Sequence, residues 1–204
     1  MSERENPGQT FQRAVSDHIA VIQALASQQS LLEKIADEMT RAICTGHKIL
    51  WCGNGGSAAD SQHLAAELVG RFRRERRALA SIALTTDTSI LTAVGNDYGY
   101  EKVFQRQVEA LCVNGDILVG LSTSGNSGNV CAAIETARRL GAFTVALTGE
   151  GGGAMAKLAD VALQIASNDT ARIQEAHILC GHMLCDSIEL SICERELATI
   201  HPLT

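Results

Sequence analysis

The spacing of apolar residues differs between two parts of the chain. In "FQRAVSDHIAVIQALA" (11–26) and "SLLEKIADEMTRAICTG" (30–46), apolar side chains recur at the three- to four-residue spacing of an amphipathic helix. Gly46 closes the second pattern, and glycine is the residue preferred just beyond a helix end. The sequence therefore predicts leading helices within residues 1–46.

Beyond residue 46, short apolar runs alternate with longer helix-like segments. The runs are "KILWCG" (48–53), "ASIALT" (80–85), "DILVGLS" (116–122), "FTVALTG" (143–149) and "DVALQI" (160–165). Strands connected by crossover helices form a parallel sheet that is covered on both faces. A last helix is predicted over residues 169–198, with Asp169 or Thr170 as its N-cap. We expect an α/β protein with a single domain over residues 1–204. Residues 47–204 would form an αβα sandwich with a five-stranded parallel sheet, preceded by the N-terminal helices of residues 1–46.

Composition excludes several classes of protein. The 204 residues are 46% hydrophobic, which suits one domain, and the net charge of −6 disfavours binding to nucleic acid or anionic lipid. No apolar run approaches the ~20 residues of a membrane helix, and the N-terminus lacks the apolar core of a signal peptide. Seven cysteines without a CxxC motif fit a reducing compartment. We expect a cytoplasmic protein that contacts neither membrane nor nucleic acid.

The first candidate site is the glycine loop "CGNGGSAAD" (52–60), which follows a predicted strand and opens a helix. Free backbone amides at a helix start favour phosphate and other oxygen-rich groups. Ser57 and Asp60 have the spacing of a capping box. The loop also satisfies the dinucleotide pattern G-x-G-x-x-[GA], but Asp87 comes later than the acid that such a site requires. A tight strand-to-helix turn without a ligand is the alternative.

The second candidate site is "VGLSTSGNSGNV" (119–130), also at a strand end. Its hydroxyls and open backbone amides suit a phosphate, and they come from Ser122, Thr123, Ser124 and Ser127. The alternative is that Ser127 or Asn126 only caps the next helix. Ligands of an open α/β sheet bind beyond the carboxyl ends of its strands, where the strand order reverses, so the two loops are expected to face one crevice.

A third pattern consists of polar side chains on two helices. His63 and Glu67 are spaced i, i+4, so they share a helix face and could chelate a metal or share a proton, although an ordinary His–Glu contact is the alternative. The apolar segment "RIQEAHILCGHML" (172–184) contains Gln174, His177 and His182. Polar groups on a buried helix need partners, which a metal or substrate would supply. Spacing alone does not choose between the two histidines of that segment.

The basic run "RFRRERR" (71–77) follows the His63 helix. It could contact phosphates, but a solvated helix end whose positive charge suits the C-terminal dipole is the favoured interpretation. Contact with nucleic acid is disfavoured by the acidic balance of the chain.

Four segments together resemble the sugar isomerase (SIS) domain family and, within it, the phosphoheptose isomerases of bacterial lipopolysaccharide synthesis. They are "CGNGGSAADSQHLAAEL", "ALTTDTSILTAVGNDYGYE", "GLSTSGNSGNV" and "ARIQEAHILCGHML", and the likeness runs from about residue 10 to 195. The resemblance implies a flavodoxin-like SIS fold. It also implies isomerisation of sedoheptulose 7-phosphate to D-glycero-D-manno-heptose 7-phosphate, the first step of ADP- or GDP-heptose synthesis. The implied assembly is a homotetramer with active sites between subunits, in which residues 1–46 take part in oligomerisation.

The same resemblance assigns roles to individual residues. One zinc ion per subunit would be bound by His63, Glu67, Gln174 and His182. Substrate contacts would come from Asn54, Gly55, Gly56, Glu67, Asn96, Asp97, Ser122, Thr123, Ser124, Ser127 and Gln174. An aldose–ketose isomerisation moves a proton between neighbouring carbons through an enediol, which a carboxylate base and an imidazole acid can perform. Glu67 is assigned as the base and His182 as the acid. Glutamine is an unusual zinc ligand.

Two other functions are compatible with the fold. Some SIS proteins close to the heptose isomerases bind the DnaA replication initiator without catalysis and tend to lose the acid at the position of Glu67. "LCDSIE" (184–189) is somewhat like those proteins, but Glu67 is present and favours the enzyme. A regulatory sugar-phosphate sensor would need an attached DNA-binding segment, which the sequence does not suggest.

Overall fold

Helices and strands alternate along most of the chain. The structure, a computed structural model, describes residues 7–200, and the side chains of residues 7–197. Its helices are α1 (Pro7–Ala24), α2 (Gln29–Cys44), α3 (Gly56–Val69), α4 (Thr88–Tyr98), α5 (Gln105–Leu111), α6 (Gly128–Arg139), α7 (Met155–Leu158) and α8 (Thr170–Ile200). Its strands are β1 (Ile49–Gly53), β2 (Ser81–Ala83), β3 (Ile117–Ser122), β4 (Phe143–Thr148) and β5 (Val161–Gln164). Residues 1–6 and 201–204 of the predicted terminal segments lie outside the described residues.

The strands form one parallel sheet in the order β2-β1-β3-β4-β5. Ile49 of β1 pairs with Ser81 on one side and with Ile117 on the other. This confirms the predicted five-stranded parallel sheet in a flavodoxin-like order. The order reverses between β1 and β3, so the loops after these two strands open into the same crevice, as expected.

Two apolar cores lie on opposite faces of the sheet. Along β1, Ile49 and Trp51 point into the first core, whereas Leu50 and Cys52 point into the second. Residues of α1, α2, α3 and α8 cover the first core, and residues of α4, α5, α6 and α7 cover the second. Burial on both faces explains why the strands are continuous apolar runs. The single-domain organisation, with residues 1–46 serving oligomerisation, stays a prediction.

Short side chains fix several helix boundaries. Asp169 Oδ1 accepts a hydrogen bond from the Ala171 N–H at 2.8 Å, so Asp169 rather than Thr170 precedes and caps α8. Asp87 Oδ1 accepts from the Ile90 N–H at 2.9 Å and caps α4. The Asp87 carboxylate therefore caps α4. This leaves the dinucleotide-binding alternative without the acidic residue that would bind the ribose.

The predicted capping box at the start of α3 is wrong. The helix begins at Gly56, and its N-cap is Gly55, whose φ of 56° brings the chain into the helix without a side-chain cap. Ser57 therefore lies inside the first turn, where it is buried. The Asp60 Oδ2 atom is buried with no hydrogen-bond partner among the described residues, and burial raises the pKa of this carboxyl group.

The interpretation of residues 71–77 as a solvated helix end is also wrong. Because α3 ends at Val69, the run lies outside the helix. The Arg76 guanidinium is fully buried and pairs at 2.9 Å with the fully buried Glu189 carboxylate of α8. Sequence reasoning missed this pair because its members are separated by more than one hundred residues. Within the described part of the chain, no helix is both long and apolar enough to cross a membrane.

Candidate active site

The loop after β1 is joined to the start of α6 by a pair of amides. Asn54 Nδ2 donates to Asn129 Oδ1 at 2.9 Å, and Asn129 Nδ2 donates back to Asn54 Oδ1 at 2.9 Å. The Tyr100 hydroxyl also donates to Asn54 Oδ1 at 3.1 Å. Sequence reasoning identified Asn54 but missed both of its partners. The only sequence signal was Asn129, a polar residue at the start of an otherwise apolar helix face. These contacts hold the two crevice loops in a fixed relation.

The hydroxyl loop, residues 122–127, keeps its hydroxyls together. Ser122 Oγ lies 2.8 Å from Ser127 Oγ and 3.3 Å from Ser124 Oγ. Ser127 occupies the N-cap position of α6, but its side chain makes no capping bond. The Asn126 side chain donates to the Ser124 carbonyl at 2.9 Å and accepts from the Ala154 N–H at 2.9 Å. Because neither side chain caps α6, the capping alternative is not supported.

The backbone of the loop after β4 packs against the hydroxyl loop. Gly125 has a φ of 65°, and a Cβ atom there would lie 2.3 Å from the Gly152 carbonyl oxygen. The Met155 N–H donates to the Gly125 carbonyl at 2.9 Å. Only glycine satisfies both the left-handed backbone and the close approach at this position.

A cavity of about 140 Å³ lies between the two loops and α8. It is lined by Asn54, Ser57, Leu121, Ser122, Thr123, Ser124, Ser127 and Gln174. Gln174 reaches this wall across Gly56, where a Cβ atom would lie 2.4 Å from Gln174 Nε2. The volume is below the ~300 Å³ of a typical small-molecule site. The cavity therefore suits a phosphate-sized group rather than a whole sugar phosphate.

The second part of the site is a cluster formed by His63, Glu67 and His182, here called the histidine cluster. His63 Nε2 lies 3.2 Å from Glu67 Oε1 and 2.9 Å from His182 Nε2. Among the described His, Cys, Asp and Glu side chains, these three form the one group of candidate metal donors, with ligand atoms within 4.8 Å of one another. Burial and the neighbouring His63 lower the pKa of His182, with Arg73 contributing and Glu67 opposing the shift.

His177 has a different environment from His182. It is fully buried, and its Nε2 atom lies 3.2 Å from the Thr148 carbonyl oxygen. Its Nδ1 atom is buried with no partner among the described residues. Burial lowers the pKa of His177 to about 4, so the ring is neutral near pH 7. The structure therefore brings His182, and not His177, to His63 and Glu67.

Phe72, which sequence reasoning did not connect with the site, covers the His182 ring, and Arg73 lies over Phe72. The Phe72 ring stacks on His182 with centroids 5.2 Å apart and an angle of 11° between planes. The Arg73 guanidinium lies 5.0 Å from the centroid of Phe72, and its Nη1 pairs with Asp186 Oδ2 at 3.2 Å. The only sequence signal for this contact was an aromatic residue, Phe72, shortly after the end of α3.

Two predicted substrate contacts lie apart from the cavity in this chain. Asn96 and Asp97 are exposed near the end of α4, where Asn96 Nδ2 donates to Asp97 Oδ1 at 2.8 Å. The structure thus brings Gln174 to the cavity between the two loops, and it brings His63, Glu67 and His182 to one another, but it does not bring Asn96 and Asp97 to the cavity wall.

Comparisons with known proteins show which family this chain is similar to. A model of the SIS domain matches residues 11–149. The phosphoheptose isomerase of Aquifex aeolicus is 51% identical over 185 residues, which are 91% of this chain and 95% of that protein. The Akkermansia muciniphila phosphoheptose isomerase is 57% identical over 169 residues, which are 83% of this chain and 89% of that protein. Phosphoheptose isomerase GmhA from Neisseria gonorrhoeae superposes with a TM-score of 0.85 at 44% identity, covering 90% of this chain and 99% of that one.

The relatives are matched over most of their own length. The strand order and the location of the crevice are those expected of the SIS fold. The chain belongs to the SIS domain family and, within it, to the phosphoheptose isomerases.

Proposed function

We propose that this protein interconverts sedoheptulose 7-phosphate and D-glycero-D-manno-heptose 7-phosphate and so supplies heptose for ADP- or GDP-heptose synthesis. The main observation in support of this proposal is the position of α3. This helix begins at the wall of the hydroxyl-lined cavity, and it carries His63 and Glu67 to His182, with their ligand atoms within 4.8 Å. A phosphate-sized cavity and an acid–base cluster joined by one helix provide the two groups that a sugar-phosphate isomerase requires.

The hydroxyl loop is proposed to hold the phosphate. Its hydroxyls can donate to phosphate oxygens, and Asn54 lines the same cavity. The backbone amides of Gly55 and Gly56 are proposed as further donors. The chain carries a net charge of −6, so local donors rather than overall charge must attract the anion. Binding energy from the phosphate would orient the reacting carbons.

Glu67 and His182 are proposed to move the protons. The Glu67 carboxylate removes a proton from the carbon next to the carbonyl, while His182 donates a proton to the carbonyl oxygen, and an enediol results. Glu67 then returns its proton to the neighbouring carbon, and His182 recovers a proton from the hydroxyl that becomes the new carbonyl.

The histidine cluster fits a zinc ion by its chemistry. Two imidazole nitrogens and one carboxylate oxygen within 4.8 Å are donors that zinc prefers. One ion per subunit would be held by His63, Glu67 and His182, with Gln174 as the predicted fourth ligand. When bound, zinc would polarise the substrate oxygens and stabilise the charge they gain. Gln174 lies at the cavity wall, where its amide can also hydrogen-bond a sugar hydroxyl.

A cytoplasmic homotetramer with active sites between subunits is part of the proposal. Phe11, Val15 and Ile19 of α1 are 72%, 61% and 49% exposed and share one helix face. Apolar stripes of this kind mark protein contacts more often than solvated surfaces. Asn96 and Asp97 are exposed in the single chain, so we place their predicted substrate contact in the assembled tetramer.

Turnover of sedoheptulose 7-phosphate, measured together with metal content, tests the function. We expect wild type to produce the aldose and to contain zinc, and we expect Glu67→Gln and His182→Gln to lose ~100-fold or more in kcat because each removes a proton-transfer group. Circular dichroism serves as the control for folding. Full activity in either folded variant contradicts the proton-transfer roles, and an inactive wild type contradicts the function.

The relatives do not favour the two alternatives considered above. They are named as phosphoheptose isomerases at 51% and 57% identity, and Glu67 stands within reach of His182. An inactive wild type that binds DnaA would instead support the non-catalytic role.

A further inference from the structure

A single buried carboxylate organises the segment that follows α3. Glu189 of α8 is fully buried. It accepts hydrogen bonds from the backbone N–H groups of Phe72, Arg73 and Arg74 at 2.7, 2.8 and 3.0 Å. Three consecutive amides converging on one carboxylate fix the path of the chain, because each bond restricts the backbone at a different residue. This segment therefore has one conformation relative to α8.

The cation that neutralises Glu189 also holds the end of α3. Arg76 Nη2 lies 2.9 Å from Glu189 Oε1, and both side chains are fully buried. The Arg76 guanidinium donates to the carbonyl of Glu67 at 2.9 Å and to the carbonyl of Gly70 at 2.7 Å. Glu67 lies in the last turn of α3, whose carbonyls lack partners within the helix, and Gly70 follows the last residue of that helix.

The segment that Glu189 holds, residues 72–74, also contacts the ring of the proposed proton donor. Phe72, whose N–H bonds to Glu189, stacks on the imidazole of His182 at 5.2 Å and 11°. Glu189 lies seven residues after His182, which is about two turns along the same face of α8. One ion pair thus contacts the end of the helix that carries the base, the helix that carries the acid, and the backbone of the residue whose ring stacks on the acid.

We infer that Phe72 and the Glu189–Arg76 pair are positioning residues of the isomerase, which hold the His182 ring at the angle needed to exchange its proton with the substrate. The inference rests on the proposed function, in which His182 is the acid. A stacked neighbour restricts rotation of the imidazole about its side-chain bonds, and a small error in the direction of a proton donor is costly to the rate.

The chain offers a matched control at the other end of the sheet. Asp116, just before β3, is also a fully buried carboxylate. It pairs with Lys48 Nζ at 2.6 Å and accepts from the backbone N–H groups of Lys48 and Val113 at 3.0 and 2.8 Å. Asp116→Asn and Glu189→Gln therefore remove the same kind of interaction, but only Glu189 holds the segment that contacts His182.

Steady-state kinetics on four variants tests the inference. We expect Phe72→Leu to lower kcat about tenfold with KM within about twofold, because the ring orientation matters to proton transfer and not to phosphate binding. Phe72→Tyr keeps the stacked ring and should retain kcat. Glu189→Gln should lower kcat, whereas Asp116→Asn should lower the melting temperature but leave kcat unchanged when assayed well below it. An unchanged kcat in Phe72→Leu, or equal kcat losses in Glu189→Gln and Asp116→Asn, overturns the inference.

A readout independent of turnover separates this inference from the proposed function. Protons held over an aromatic ring have upfield NMR shifts, so the His182 ring protons should move downfield in Glu189→Gln, which keeps both rings but frees the segment. Unmoved His182 signals overturn the positioning role even if wild type is active. An inactive wild type refutes the proposed activity, and the His182 signals then decide the positioning role alone.

Discussion

The absence of a side chain at residue 56 determines where Gln174 lies. The Gln174 amide fills the space beside Gly56, where a Cβ atom would come within 2.4 Å of Nε2 and 2.9 Å of Oε1. The atoms that would clash belong to the end of a flexible side chain, so an added methyl group would displace the glutamine rather than the backbone. Gly125 differs, because its neighbour is the backbone of Gly152.

We therefore expect Gly56→Ala to fold normally and to lose activity by moving Gln174. If that is the cause, Gly56→Ala and Gln174→Ala act through the same side chain, and their effects on kcat/KM should not add. The double variant should be no more than about twofold worse than the worse single variant. Additive losses in this double-mutant cycle, measured with the heptose phosphate, would contradict the displacement of Gln174.

Residue types and spacing predicted most of the candidate site but not its contacts. His63 with Glu67 at i, i+4 follows from helix geometry, and the structure joins this pair to His182. The choice between His177 and His182 depends on which face of α8 lies against β4, which one sequence does not reveal. The Asn129 and Phe72 contacts were missed for the same reason, since they depend on how separate elements meet in space.

At the scale of elements, α8 links the core to the site. Its periodicity predicted a helix over residues 169–198, and the structure has Thr170–Ile200. Its buried face carries two polar groups in different states: Glu189 is paired with a cation, whereas His177 relies on one carbonyl of β4. Burial opposes the ionised form of Glu189, but the N–H groups of residues 72–74 and the charge of Arg76 outweigh it and lower its pKa.

His177 should make stability depend on pH. Its pKa is about 4 in the folded chain and ~6.5 when unfolded, so between these values the unfolded chain binds more protons. The stabilisation from a neutral His177 is complete above pH 6.5 and is lost as the pH falls towards 4, on the order of 3 kcal/mol in total. Urea unfolding of wild type and His177→Gln from pH 8 to 4 should show this difference. Parallel curves for the two proteins over that range would contradict it.

At the scale of the whole molecule, topology was the most predictable property. Alternating apolar runs and helical segments predicted the parallel sheet, and the crevice at the reversal of strand order follows from that topology. The assembly is harder to read from sequence, because an apolar stripe on a helix predicts burial without saying whether the same chain or a second copy covers it. In this chain α1 buries Val21 but leaves Phe11, Val15 and Ile19 exposed.

An assembly through α1 should be sensitive to charge on that stripe. A groove of about 450 Å³ lined by Ile22, Leu25, Leu32, Leu179 and Met183 lies between the leading helices and α8 and extends the apolar surface. We expect Val15→Lys to reduce the mass in solution and the activity together. Val113→Lys is the control, since Val113 is 53% exposed in the loop before β3. Light scattering after gel filtration measures the mass, and an unchanged mass in Val15→Lys would contradict a contact through α1.

The manner in which Glu189 holds residues 72–74 also bears on how this segment can diverge among relatives. Its three bonds go to backbone N–H groups, which every amino acid except proline carries. Substitution of the Arg73 or Arg74 side chain therefore leaves the path of the chain intact, whereas proline at either position breaks it. Natural selection can thus vary charge and shape at positions 73 and 74 while the backbone that leads from Phe72 keeps its path.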